Sequence, residues 1–187
     1  MKLLNFFLLL STFLFAQDNN ELMNVINKFV SAKDISANVI IVSNKTMEGN
    51  FFYKKNNKYR YDFGNLILVT DGETFWNFDK KKNKVVIDNF DNKAIQFNIG
   101  EFFKDIKERA QITKIEEHTF SVKNDKNKYY KDATIWLKNG TIEKINFIDK
   151  NNNPYIIKFS NVKLNSSLSD NLFNFEISEG IKVVDLR

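Results

Sequence analysis

His118 is the single histidine of this chain, and cysteine is absent. Cys–His nucleophilic chemistry is therefore impossible, and a histidine-rich metal site is excluded. Glu116 and Glu117 are neighbours on a stretch that reads as a strand, so their carboxylates point to opposite faces, a poor arrangement for paired acid–base work. No Gly-x-Ser-x-Gly elbow and no glycine-rich phosphate loop occurs. These residues argue against an enzyme, and neither cofactor nor metal is expected. The side chains that do recur with regular spacing are aromatic. Tyr59, Tyr61 and Phe63 share one side of an alternating run, with Lys58, Arg60 and Asp62 on the other. Further on, Trp76 and Phe78 share a side, with Phe75 and Asn77 opposite. What such rings offer is burial of apolar surface, worth about 25 cal/mol per Å². The expectation is that Tyr59, Tyr61, Phe63, Trp76 and Phe78 line a common interior.

The elements that must position them read as a succession of short strands. Residues 51–53, 59–63, 66–70 and 74–78 are rich in aromatic and β-branched residues and are separated by polar turns. Asp71-Gly72 is a strong hairpin signal, because glycine accepts the positive φ of a tight primed turn. Strand patterns precede the meander at 35–42 and 47–53. Others follow at 84–88, 112–117, 120–123, 133–137, 142–148, 155–164, 173–177 and 182–185. Two helices interrupt them. Leu22, Val25, Ile26 and Phe29 fall at i, i+3, i+4 and i+7 behind Asn19 or Asn20 as a cap. Within 89–110, Ile95, Phe97, Ile99, Phe102, Phe103 and Ile106 read as a helical insert. The predicted architecture is mainly β, an antiparallel sheet of about ten or eleven strands with helices over its concave side.

At 187 residues the chain is long enough for one domain with a real core. Its first 16 residues supply an address. Lys2, an apolar run from Phe6 to Phe15 and Ala16 before polar Gln17 describe a secretory signal peptide. That run is shorter than the roughly 20 apolar residues of a membrane span. The mature domain is expected over 17–187, exported and without a lipid anchor, since no cysteine follows the cut. Export argues against nucleic acid as the partner of the +5 formal charge. Lys80, Lys81, Lys82 and Lys84 form a basic turn, a solvated one unless it steers the protein to anionic head groups.

The stretches Gly49-Asn50-Phe51-Phe52-Tyr53-Lys54-Lys55, Lys58-Tyr59-Arg60-Tyr61 and Val69-Thr70-Asp71-Gly72-Glu73-Thr74-Phe75-Trp76 resemble the core signature of the LolA family. Phe173-Asn174-Phe175 and Gly180-Ile181-Lys182-Val183 are similar to its closing motif. The resemblance covers the chain from the first mature helix to the C-terminus. It implies an unclosed (half) antiparallel β-barrel around a hydrophobic cavity, with an N-terminal helix and an internal helical insert as lid. It also implies a monomeric periplasmic carrier of acylated lipoproteins. Its implied partners are an inner-membrane ABC-type release complex and an outer-membrane acceptor lipoprotein. The lipid-facing candidates are then Tyr59, Tyr61, Phe63, Trp76 and Phe78, with Leu22, Val25, Ile26, Phe29, Ile95 and Phe97 from the lid.

Two positions depart from the family pattern. Its "K-R-P" reads Lys54-Lys55-Asn56 here, and the family arginine is associated with holding the lid shut. Lys55 keeps the charge without the planar five-donor fork, and Arg60 is the other latch candidate. Ser178 stands where the closing motif has proline. A second function class fits the same resemblance, a sensor domain that binds lipoproteins or a membrane-bound regulator in envelope stress signalling.

Overall fold

The computed structural model describes residues 19–90, 99–124, 126 and 130–187. Helix α1 (Asn20–Ser31) leads into β1 (Asp34–Val42) and β2 (Thr46–Lys54). The meander follows as β3 (Lys58–Asp62), β4 (Leu66–Thr70), β5 (Thr74–Asp79) and β6 (Lys84–Asn89). Helix α2 (Ile99–Arg109) separates it from β7 (Gln111–Glu116), β8 (Thr119–Lys123), β9 (Tyr130–Lys138), β10 (Thr141–Asp149) and β11 (Pro154–Leu164). A short 3-10 turn (Asp170–Phe173) and β12 (Lys182–Asp185) complete the order.

These strands form one 12-stranded sheet in the order β12-β6-β5-β4-β3-β2-β1-β11-β10-β9-β8-β7. The sheet is unclosed, with β12 and β7 as its edges. Every pairing is antiparallel except β12 on β6. Sequence-local hairpins build two arms, β1–β6 and β7–β11. The long-range β1–β11 pairing, Ile35 opposite Leu164 through Val42 opposite Ile156, joins them.

Alternation decides what each face carries. Ile35, Ala37, Val39 and Ile41 of β1 point to the same side as Phe51, Tyr59, Tyr61 and Phe75, and all are buried in the main core. Phe120, Val122, Ile135, Ile145, Ile157 and Phe159 of the other arm join them. Both helices cover this inner face. The α1 stripe Leu22, Val25, Ile26 and Phe29 is buried as its spacing predicts, and α2 buries Ile99, Phe102, Phe103 and Ile106. The helices meet through Phe29 and Phe103, whose rings lie 5.2 Å apart edge-to-face, a favoured aromatic geometry.

The outer face has a smaller apolar layer over β3–β6. Ile67, Val69, Val85, Ile87 and Phe173 are buried yet lie outside the main core. Here the structure corrects the strand expected at 173–177. Ser169 caps a 3-10 turn by accepting from the Asn171 N–H, and the chain then crosses the sheet without pairing until β12. This strap is fastened by Lys54 and Lys58, 3.2 and 2.8 Å from Asp170, and by the Lys54 ammonium donating to the Leu168 carbonyl at 2.9 Å. Buried Asp34 holds its start, accepting from the N–H groups of Ser166 and Leu168.

Candidate functional site

The space between the helices and the inner face is where the predicted rings converge, in part. Tyr59 and Tyr61 are 2% and 4% exposed within the main core. Phe63 is half-buried against that core and stacks on Tyr61 with ring centres 5.6 Å apart. Burial pushes the Tyr61 phenol well above its ordinary range, so it stays protonated.

Trp76 and Phe78 do not join them. The register pairs Tyr59 with Thr70 and Thr70 with Phe75, and it pairs Arg60 with Val69 and Val69 with Trp76. Directly opposite residues share a face, so Phe75, Leu68 and Thr70 are the inner partners, while Trp76, Phe78, Ile67 and Val69 are outer. The reason is the length of the link. Four residues, Asp71 to Thr74, separate the paired Thr70 and Phe75, which couples even positions of β4 to odd ones of β5. Phe78 instead meets Phe175 of the strap, ring centres 5.0 Å apart.

Arg60 follows Trp76 to the outer face. Its guanidinium donates to the Leu172 carbonyl at 3.3 Å and lies 3.6 Å from Asp62, so it fastens the strap and not the helices. Lys55 is exposed in the β2–β3 turn. Its neighbour Asn56, at the family's proline position, has a φ of +67°, a conformation proline cannot adopt. The departure from "K-R-P" is thus a different turn. Ile95 and Phe97 lie outside the described residues.

Sequence reasoning passed over the groups that tether the helices. Asp105 of α2 accepts from the Tyr130 hydroxyl at 2.9 Å and from the Asn124 amide at 2.8 Å. Burial first, then the bond to Asp105 and its charge, push the Tyr130 phenol up and keep it a donor. At the start of α1, Asn19 makes no side-chain cap; its amide donates instead to the Ile112 carbonyl at 2.9 Å. Glu21 pairs with His118 in the β7–β8 turn and lies 3.7 Å from Lys114. The lone histidine is therefore a tether for α1. No sequence pattern announces these contacts, because each joins residues far apart in the chain.

A pocket of about 120 Å³ opens between α1, α2 and β1–β3, walled by Phe29, Val30, Ile35, Tyr59, Ile99 and Phe103. Tyr53, Asn57, Glu101 and Lys104 supply its polar side. Among the described residues no group of three or more metal-ligating side chains occurs, and no helix is long and apolar enough to cross a membrane.

Comparison with known proteins places this geometry. The chain is 27% identical over 173 residues to an uncharacterized protein of Methanocaldococcus jannaschii, covering 84% of this chain and spanning about half (50%) of that relative's length. A crystal structure of an uncharacterized conserved protein from Thermus thermophilus matches the fold with a TM-score of 0.54 at 13% identity, over 89% of this chain and 97% of that one. The LolA superfamily protein NE2245 from Nitrosomonas europaea aligns more loosely, with a TM-score of 0.42 and 10% identity, over 85% of this chain and 98% of that one. The family described as "Outer membrane lipoprotein carrier protein LolA" matches residues 41–176. That span runs from the end of β1 into the strap, more than half of the chain, and the protein belongs to the LolA family.

Proposed function

We propose that this protein is a periplasmic carrier that takes the acyl chains of lipoproteins between its sheet and its two helices and moves them from the inner to the outer membrane. The observation that carries the reading is the nature of the cover. The apolar inner face is closed by two amphipathic helices tethered through a few polar contacts, not by a second sheet. A helix pair can leave as a unit; a paired sheet cannot.

The energetics suit exchange. The eight apolar side chains that α1 and α2 bury are worth together roughly 12–24 kcal/mol, taking about 1.5–3 kcal/mol each. One fatty chain of about 16 carbons is worth roughly 12 kcal/mol at about 0.8 kcal/mol per CH₂. The seated helices and one or two acyl chains therefore compete for the same face on nearly equal terms, and net affinity is the difference. A rigid cavity of that depth would not let its cargo go. An inner-membrane ABC-type complex would supply cargo, and an outer-membrane acceptor lipoprotein would receive it.

The test is to purify the protein from the periplasm and identify what accompanies it. Diacylated or triacylated proteins are expected with the wild type, and should be lost when Ile41→Asp puts a charge on the inner face of the sheet. Recovery of a signalling partner with no acylated cargo would favour the sensor reading instead.

A further inference from the structure

We propose that the outer face of the sheet carries a second binding site, a polar dent over the β1–β11 seam that takes an acidic sugar. It lies on the side away from the helices and holds whether or not the protein carries lipid. The strand pairing makes the dent. Ser36 stands opposite Lys163 and Asn38 opposite Ser160, so Ala37 alone faces two residues of β11, Asn161 and Val162. Such a bulge bends the strand and re-aims its side chains, and Asn161 takes a left-handed φ of +52° there. The dent, of about 420 Å³, is walled by Ser36, Asn38, Asn50, Phe52, Asn161 and Lys163.

Three of those side chains form an amide relay. Asn161 donates to Asn38 Oδ1 at 2.7 Å, and Asn38 donates to Asn50 Oδ1 at 2.8 Å. Each amide has two N–H donors and one carbonyl acceptor. The relay therefore ends in unspent groups, the Asn161 carbonyl on one side and the Asn50 N–H pair on the other, and each bond polarises the next. A sugar presents hydroxyls around its whole rim, every one able to donate and accept. It can meet an acceptor at one end of the dent and donors at the other.

The neighbouring row completes the site. Ser36 is the register partner of both Phe52 and Lys163, which sets a hydroxyl, an aromatic ring and an ammonium side by side on one face. Half-buried Phe52 offers an apolar platform for the C–H side of a pyranose. Among the described residues, neither the Ser36 hydroxyl nor the Lys163 ammonium has a partner, and no carboxylate lines the dent. An unpaired ammonium there suits a carboxylate on the ligand, which favours an acidic sugar over a neutral one. Two envelope polymers hold that chemistry, the glycan of the cell wall and the inner sugars of lipopolysaccharide.

The experiment titrates the intact protein at neutral pH with N-acetylmuramic acid and with N-acetylglucosamine, which lacks its lactyl carboxylate, and follows the amide proton–nitrogen spectrum. Saturable shifts centred on Ser36, Asn38, Asn50 and Asn161 are expected, with the acidic sugar bound about two- to fivefold more tightly, the scale of one exposed ion pair. Lys163→Gln, an exposed change, should erase that difference, whereas Lys158→Gln, further along β11 on the same face, should keep it. Asn50→Ala should weaken both sugars. A parallel titration with ketodeoxyoctonic acid separates the sources: its preference over N-acetylmuramic acid supports a lipopolysaccharide ligand, and the reverse supports the wall glycan. Absence of saturable binding by either acidic sugar, or a preference that survives Lys163→Gln, would overturn the inference and leave the carrier reading standing. An acetylated aspartyl peptide binding as tightly as the acidic sugars would overturn it too, by showing that charge alone is read.

Discussion

At Gly49 a Cβ would lie 1.9 Å from the Asp62 carbonyl oxygen, and at Gly72, with φ of +102°, it would lie 2.3 Å from that of Asn56. These two glycines belong to the signature stretches because backbone passes over backbone there, and no side-chain rotation relieves such a contact. Gly49→Ala should destabilise the fold by about 1–3 kcal/mol, the usual cost of overpacking, read as a lowered urea midpoint at unchanged slope. The two sides of the sheet make a sharper functional contrast. Phe103→Ala removes a fully buried ring from the lid contact and should cost about 3–5 kcal/mol. It should also change the affinity for a fluorescent fatty-acid probe several-fold, since the ring competes for the inner face. Trp76→Ala, on the outer face, should leave that affinity within twofold. Alternation along each strand was readable from the residues, and it separated Tyr59 and Tyr61 from Arg60 correctly. The parity carried across the Asp71–Thr74 link was not read, and two aromatics were put on the wrong side for that reason.

Each cover of the sheet has its own fastening, and the two should fail under different conditions. Asp105→Ala would leave the Tyr130 hydroxyl and the Asn124 amide without their acceptor on α2, at a cost of about 1–3 kcal/mol for the buried groups. Because that cost falls on the seated lid alone, the variant should melt earlier yet bind acyl chains more tightly, in a paired thermal-melt and probe-binding experiment. The strap responds to acid. Hydrogen bonds from Lys58 and then Lys54 hold the Asp170 carboxyl below the ordinary carboxylate range. Its contribution is therefore present above a pH of about 4 and disappears as pH falls through the depressed value. Urea midpoints of the wild type and Asp170→Asn should differ at pH 6 and draw together as the pH is lowered through the depressed carboxyl range. The α1 stripe and most strand bounds were legible, since periodicity reports local burial. The strap was not, because Phe173 and Phe175 alternate like a strand while their burial comes from crossing other strands.

For the whole molecule, the hairpins could be anticipated from turn chemistry, whereas the β1–β11 seam that joins the arms could not. Its partners lie more than a hundred positions apart, and no short-range pattern encodes such a pairing. If the helices vacate the inner face for lipid, loading should speed amide exchange in α1 and α2 and leave β1 and β2 protected. Exchange mass spectrometry with and without bound lipopeptide checks this; unchanged helix protection would contradict a lid that lifts.

The strap starts at β1 and β2, where Asp34 and Lys54 hold it, and its apolar layer backs β3–β6. Among the described residues, the outer side of β8–β10 carries surface groups such as Trp136 with the Lys144 ammonium 3.6 Å above its ring. One arm is thus a sandwiched plate and the other a single bare ply. A swelling interior will bend the thinner wall, so bulky cargo should register as strain and quickened exchange in β8–β10, with the laminated arm serving as the fixed jaw of the clamp.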